Sequence, residues 1–311
     1  MGFDVDFQHS YTANPFLLNI TIKEEYQNRN ISSRRGRVML SHTELANDIK
    51  RTTLSKNEAT FWWLGQHSFI LKTTTKTIYF DPFLSKHPKR LIQPLLNAAE
   101  LKKNADIILG SHDHTDHIDH TLLKEVFKRK NHLTLIVPEL LRKGLQSKLN
   151  IDPTQIIGCN DDCSIEIDGV KITGIAAAHE FLDQDKKTKQ FPYLGFIVKL
   201  DGMTFYHSGD TCIYEGMSRR LKQWNFDIAF LPINGRDAKR LRSGCIGNMT
   251  YQEAADLSGI LKPKLAVPAH YGMFAENSID PNLFADYMDV KYPELKVYIC
   301  EPGKKCTYQK D

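Results

Sequence analysis

From Phe61 onward the chain consists of short apolar runs bounded by Gly, Asp and Pro, and four of them, far apart in sequence, stop just short of a histidine or an aspartate. "ADIILGSHDH" leads to His112, "VKITGIAAAHE" to His179, "MTFYHSGD" to Asp210 and "PKLAVPAHYG" to His270. Short continuous apolar runs of this kind read as strands buried on both faces. A layered α/β core gathers the loops after its strands at one edge, so these four strand ends predict that their side chains converge.

The pattern between those runs points the same way. "FWWLGQHSFILK" and "TIYFDPF" read as the first two strands, joined through "TTTK". Asp201 and Gly202 form the tight turn of a hairpin in "YLGFIVKLDGMTFYH". "TLLKEVFKRK" sets Leu122, Leu123, Val126 and Phe127 on one helical stripe, and "NMTYQEAADLSGILKP" carries a capping box, Thr250 with Glu253, before a stop at Pro263. Hairpins among the strands and helices between them predict mixed sheets with helices on their outer faces.

A chain of 311 residues can bury a sizeable core. Residues 1–59 are polar, with a basic run at Ser32–Arg37 that reads as a solvated loop and a weak helical period around Leu40 to Leu54. We expect an N-terminal arm there, a candidate for oligomer assembly, and the folded domain over 60–311. The balance of 41 Lys and Arg against 37 Asp and Glu is too mild to announce a nucleic-acid or membrane partner. There is no apolar run of membrane-spanning length, no basic-then-apolar leader pattern, and no CxxC pair among the six cysteines. The expectation is a soluble cytoplasmic protein with reduced thiols.

The segment "SHDHTDHIDH" carries the chemistry. His112 and His114, two apart in a turning segment, project to the same side and can share one ion, while Asp116 and His117 approach from another angle and suit a second. His179 would complete the first site and His270 the second, with Asp210 bridging both. Imidazoles and carboxylates without thiolate suit zinc, manganese or iron, and about three ligands per ion leave a position open for water. The expected cofactors are two divalent ions per chain, Zn2+ or Mn2+. Asp116 and Asp210 are the candidates to orient the attacking water and relay its proton. Asp81 either receives the outer N–H of a ligating histidine or simply makes a turn before Pro82. His67, His207 and the cysteines are assigned to packing or to support behind the ligands. Asn234 and Arg236 also follow a strand end and are the candidate pocket residues. A phosphate could sit among Arg236, Lys239, Arg240 and Arg242, which read equally well as a solvated loop. The charged loop "EFLDQDKKTKQFP" after His179 is either a lid or ordinary surface.

The order HxHxDH, then His, then Asp in "YHSGD", then a late His resembles the metallo-β-lactamase superfamily, from about Phe61 to the C-terminus. More narrowly, "WWLG", "SHDHTDHID", "YHSGD" and "PAH" resemble the L-ascorbate-6-phosphate lactonase family. The resemblance implies an α/β fold, a four-layer αβ/βα sandwich of two mixed β-sheets with a dinuclear site at one edge. It further implies a cytoplasmic, oligomeric, metal-dependent hydrolase, with manganese as a possible native ion. Its small-molecule substrate would be a lactone of a phosphorylated sugar acid, opened by a hydroxide bridging the two ions, whose pKa they bring toward neutrality. "WLG" and "DPF" are shared with the N-acyl-phosphatidylethanolamine phospholipase D group, so a dinuclear phosphodiesterase is the alternative. Glyoxalase-type and RNA-processing relatives place a glycine where this chain has Ile118, Asp119 and His120, and flavodiiron relatives replace the histidine kept here as His114.

Overall fold

A computed structural model of the protein describes residues 42–310. The basic run at Ser32–Arg37 and most of the expected arm lie outside the described residues. The elements run α1 (His42–Arg51), β1 (Glu58–Gly65), β2 (Ser68–Lys72), β3 (Thr77–Phe80), α2 (Ala98–Asn104), β4 (Ile107–Leu109), α3 (His120–Val126), β5 (Thr134–Pro138), α4 (Glu139–Leu149) and β6 (Ile156–Cys159). There follow β7 (Ser164–Ile167), β8 (Val170–Ala176), β9 (Leu194–Leu200), β10 (Met203–His207), α5 (Met217–Leu221), β11 (Ile228–Pro232), α6 (Ala238–Arg242), α7 (Tyr251–Leu261), β12 (Leu265–Ala269), α8 (Asn282–Lys291) and β13 (Lys305–Gln309).

Two mixed sheets result, as the alternation of hairpins and helices predicts. The first has the order β13-β1-β2-β3-β4-β5-β6, antiparallel as far as β3 and parallel from β3 to β6; the second has the order β12-β11-β10-β9-β8-β7, parallel only across β10, β11 and β12. Side chains alternate across each strand, and in β1 this splits neighbouring aromatics between two cores. Phe61 and Trp63 join Phe69, Phe80, Phe196, Phe205 and Phe230 in the core that includes the space between the sheets. Trp62 and Leu64 face the other way, onto Leu45, Leu101, Leu123 and Leu145 of the covering helices. The central strands are therefore buried on both faces and read as unbroken apolar runs, whereas the edge strands β7 and β13 alternate with exposed positions.

Two differences from the sequence reading bear on the site. The run "FWWLGQHSFILK" is two strands, because the chain reverses at Gly65 and Gln66, with φ of 102° and 50°. A φ of 102° is strained for any residue with a Cβ, so this turn favours glycine at position 65. The polar residues that mark the turn, Gln66, His67 and Ser68, are themselves fully buried, so they do not read as a solvent-exposed loop. In addition, α1, which falls within the expected arm, packs on the first sheet: Leu45 and Ile49 are buried, and Trp62 Nε1 donates to Asp48 at 2.9 Å. None of the described helices is long and apolar enough to cross a membrane.

Candidate metal centre

The strand that ends at Leu109 continues through Gly110 into a tight loop, where the amides of His117 and Ile118 both donate to the His114 carbonyl, at 3.0 and 2.8 Å. Asp119 then caps α3, its Oδ1 accepting from the Leu122 amide at 3.0 Å. This winding turns four side chains of one short motif toward the second sheet. There β8, β10 and β12 run in the same direction, and the segments beyond their C-terminal ends present His179, Asp210 and His270.

All seven expected ligands meet. His112, His114 and His179 form one group, Asp116, His117 and His270 a second, and His112, His117 and Asp210 a third between them; within each, the ligand atoms lie within 4.8 Å of one another. His114 Nδ1 stands 3.1 Å from His112 Nε2 and 3.3 Å from His179 Nε2. Metal–nitrogen bonds of about 2.0–2.1 Å place neighbouring corners of a tetrahedron about 3.3–3.4 Å apart, so this spacing suits an ion at the centre. Asp210 faces both sides: Oδ1 is 3.4 Å from His117 Nε2, and Oδ2 is 3.0 Å from His270 Nε2 and 3.9 Å from His179 Nε2. His114 is exposed and Asp116 partly so, while the other five are buried, so the cage opens on that side.

The far sides of the ligands show which lone pairs face inward. His117 Nδ1–H donates to Asp81 Oδ2 at 2.6 Å, leaving Nε2 for the cage. Ser111 Oγ–H donates to the same Asp81 oxygen at 2.7 Å and so accepts from His112 Nδ1–H at 2.9 Å, again freeing Nε2. Asp81 thus orients a histidine of each group, one directly and one through Ser111. Asp81 also sits at a turn, with φ of 44°. His117 Nε2, His179 Nδ1 and Asp210 Oδ1 are buried without a hydrogen-bond partner; the first and last face the cage, a cost that a bound cation would remove.

Charge distribution agrees. Burial, followed by the nearby His117, holds His112 well below the usual imidazole range, and burial brings His179 down to about 4. Both are neutral near pH 7, with lone pairs available. For His117 burial acts downward, but Asp210, Asp116 and Asp81 outweigh it and raise it well above the usual range. Burial would raise Asp210, yet His117 and His270 hold it well below the carboxylate range. The cluster is able to hold metal, and the proton on His117 is one that a bound ion would displace.

Other candidates fall elsewhere. His207 donates through Nε2 to the His67 carbonyl at 2.8 Å and stacks on Phe80 at 4.9 Å, with its neighbour His67 3.5 Å from Asp210; it supports the wall two contacts away from the ligands. Asn234 corrects the sequence reading: it is fully buried and spends its amide on Asn277 at 2.8 Å and its carbonyl on Asn248 at 3.2 Å, so it belongs to the wall and not the pocket surface. Arg236 does line a cavity, but its guanidinium is held by both oxygens of Glu253, each at 2.7 Å. Sequence reasoning missed Gln66 and Ser111. Gln66 donates to Asp116 at 3.1 Å, and its carbonyl accepts the His270 amide at 2.8 Å, so the unrecognised turn at Gly65 is part of the site.

Fold and cluster together define a class: two-sheet α/β proteins with a His/Asp metal cage at the ends of their strands. Residues 76–271 match the family described as the beta-lactamase superfamily domain. A UPF0173 metal-dependent hydrolase of Pyrococcus abyssi is 31% identical over 251 residues, covering 78% of this chain and 96% of that protein. One from Thermococcus kodakarensis is 31% identical over 244 residues, covering 78% and 96%. The solved structure of a novel metallo hydrolase from Ignicoccus hospitalis aligns with a TM-score of 0.63 at 25% identity, over 82% of this chain and all of that one. The chain belongs to the metallo-β-lactamase superfamily.

Proposed function

We propose that this protein is a metal-dependent hydrolase acting on a carboxylic ester, and on a lactone in particular. The convergence of seven ligand side chains on one partly open cage carries this reading. His112, His114 and His179 would hold one divalent ion, Asp116, His117 and His270 the other, with Asp210 between them. When bound, such ions supply a water acidic enough to attack near neutral pH and an electrophile for the carbonyl oxygen. Asp210 and Asp116, both deprotonated, accept from the attacking water and aim it, and Asp116, at the open side, is placed to pass its proton to the departing alkoxide. His114, the exposed ligand, marks the side from which substrate arrives. The lactone preference comes from the sequence motifs shared with the ascorbate-phosphate lactonase family.

The test is to strip the protein with chelator, restore zinc or manganese, and compare lactones with bis(p-nitrophenyl) phosphate. Activity should vanish and return, with lactones opened faster. Unchanged turnover after stripping would defeat the metal assignment, and faster phosphodiester cleavage would defeat the ester assignment.

A further inference from the structure

Eight large hydrophobic side chains are exposed among the described residues, and three of them, Phe181 at 66%, Ile213 at 43% and Leu241 at 57%, line a single cavity of about 410 Å³. That is the size of a small-ligand pocket, and such pockets are mostly apolar. Its walls are continuations of the ligand loops. Glu180 and Phe181 directly follow His179, and Cys212 and Ile213 come two and three residues after Asp210. Successive Cα atoms are about 3.8 Å apart, so both walls begin beside a ligand. The Cys212 amide donates to the Ala178 carbonyl at 2.8 Å, lacing the two loops together. On the third wall the Cys245 thiol is raised, chiefly by burial, with Asp116 and Asp210 close enough to contribute.

Arg236, the cation that lines this cavity, and Arg240 beside it are engaged, whereas Lys239 belongs to the neighbouring cavity. Arg236 is held by Glu253, whose Oε2 also accepts the Thr250 amide at 2.9 Å in the capping box of α7, so freeing Arg236 would loosen that helix end. Arg240 Nε is paired with Asp237 at 2.7 Å. A larger cavity of about 590 Å³ shares Asp237 and Cys245 but has mixed charge, with Lys89 set 3.2 Å from Glu276. Within the smaller cavity an anionic substituent finds the lining cation, Arg236, taken by Glu253, whereas an alkyl group finds exposed apolar surface on the segments that follow His179 and Asp210.

We infer that the cavity of Phe181, Ile213 and Leu241 receives the alkyl or acyl portion of a neutral ester or lactone, in place of a phosphorylated sugar. This rests on the ester reading above for the reaction but not for the binding. The test uses the metal-loaded full chain and aliphatic hydroxamates from acetyl to octanoyl, whose head group chelates metal and whose tail alone varies. Affinity should tighten about fourfold for each added methylene until the cavity fills. Leu241→Asp and Phe181→Ser should flatten that increment; Val290→Asp, at an exposed site on α8, should leave it intact. A parallel turnover series on γ-lactones with lengthening alkyl tails should show kcat/KM rising with length. Tail-dependent binding without any ester turnover leaves this inference standing and removes the ester reading. Ester turnover indifferent to tail length, or a preference for a phosphorylated lactone, overturns the inference and leaves the ester reading standing. Equal or absent hydroxamate binding across the series also overturns it, as does a change of oligomeric state in Leu241→Asp with the increment unchanged, which would make the patch a contact between copies.

Discussion

The two halves of the cage are held by different means. The ligands after β4 have partners behind them: His117 leans on Asp81, His112 on Ser111, and Asp116 accepts from Gln66. Those from the second sheet have little. His179 Nδ1 is buried with no partner, and the neighbours of Asp210 are His270 and His117, themselves ligands, with His67 Nδ1 at 3.5 Å as the one support from behind among the described residues. One half is set by hydrogen bonds within the protein before any ion arrives. The other is set by what it encloses, because a buried carboxylate among imidazoles needs positive charge nearby to offset its desolvation.

Asp210→Ala should have the largest effect, since it empties the one position that faces both groups. Metal analysis should show loss of both ions, and turnover should fall about a thousandfold or more, equivalent to about 4 kcal/mol. If this variant costs no more than a change behind the ligands, the two halves are not held differently. Asp81→Asn should come next, at about ten- to a hundredfold in metal affinity. Asparagine tolerates the φ of 44° at this position, so the loss reads the carboxylate and not the backbone. Gln66→Ala should cost about tenfold, confined to the ion held by Asp116 and His270, because it removes one hydrogen bond to a charged group. Titration with competing chelators that resolves two affinities would show whether the weakening is confined in this way.

The smallest effect concerns what stands behind Asp210. Burial brings His207 down to about 3 from an ordinary 6.5, so the unfolded chain takes up a proton that the folded one refuses. Stability from this residue is therefore intact above about pH 7 and declines as pH falls from there toward 3. Between pH 7.5 and 5.5 the loss should be about 1.4 kcal/mol, one proton over one effective pH unit. Denaturant unfolding of the metal-free protein at both pH values, with and without His207→Gln, would read it, and an equal midpoint shift in both proteins would show that His207 is not buried in neutral form.

Much of this was legible because the chemistry is written at strand ends. The mixed sheets follow from hairpin turns such as Asp201-Gly202 and from apolar runs broken by amphipathic helices, and the ligand motif is contiguous, so its register alone places four side chains. His179, Asp210 and His270 were legible only because each follows an apolar run. What escaped was whatever depends on two chain segments meeting. Gln66 reads as an interior strand residue until the turn at Gly65 is seen, and Ser111 looks like filler until Asp81 approaches it. Asn234 has the address of a pocket residue, yet Asn248 and Asn277 close over it. The apolar rim of Phe181, Ile213 and Leu241 comes from three loops that carry no shared pattern.

Strand β1, which lies between β2 and the edge strand β13, has an order-of-assembly consequence. It pairs Glu58 with Gln309, and the turn that follows it receives the amide of His270 on the Gln66 carbonyl. During synthesis from the N-terminus, the histidine-rich motif leaves the ribosome well before the residues that close the sheet and finish the second seat. A nascent chain therefore carries the first four histidine and aspartate side chains of the cluster before Asp210 and His270 exist, so the full seven-residue cage can form only late in the domain's synthesis.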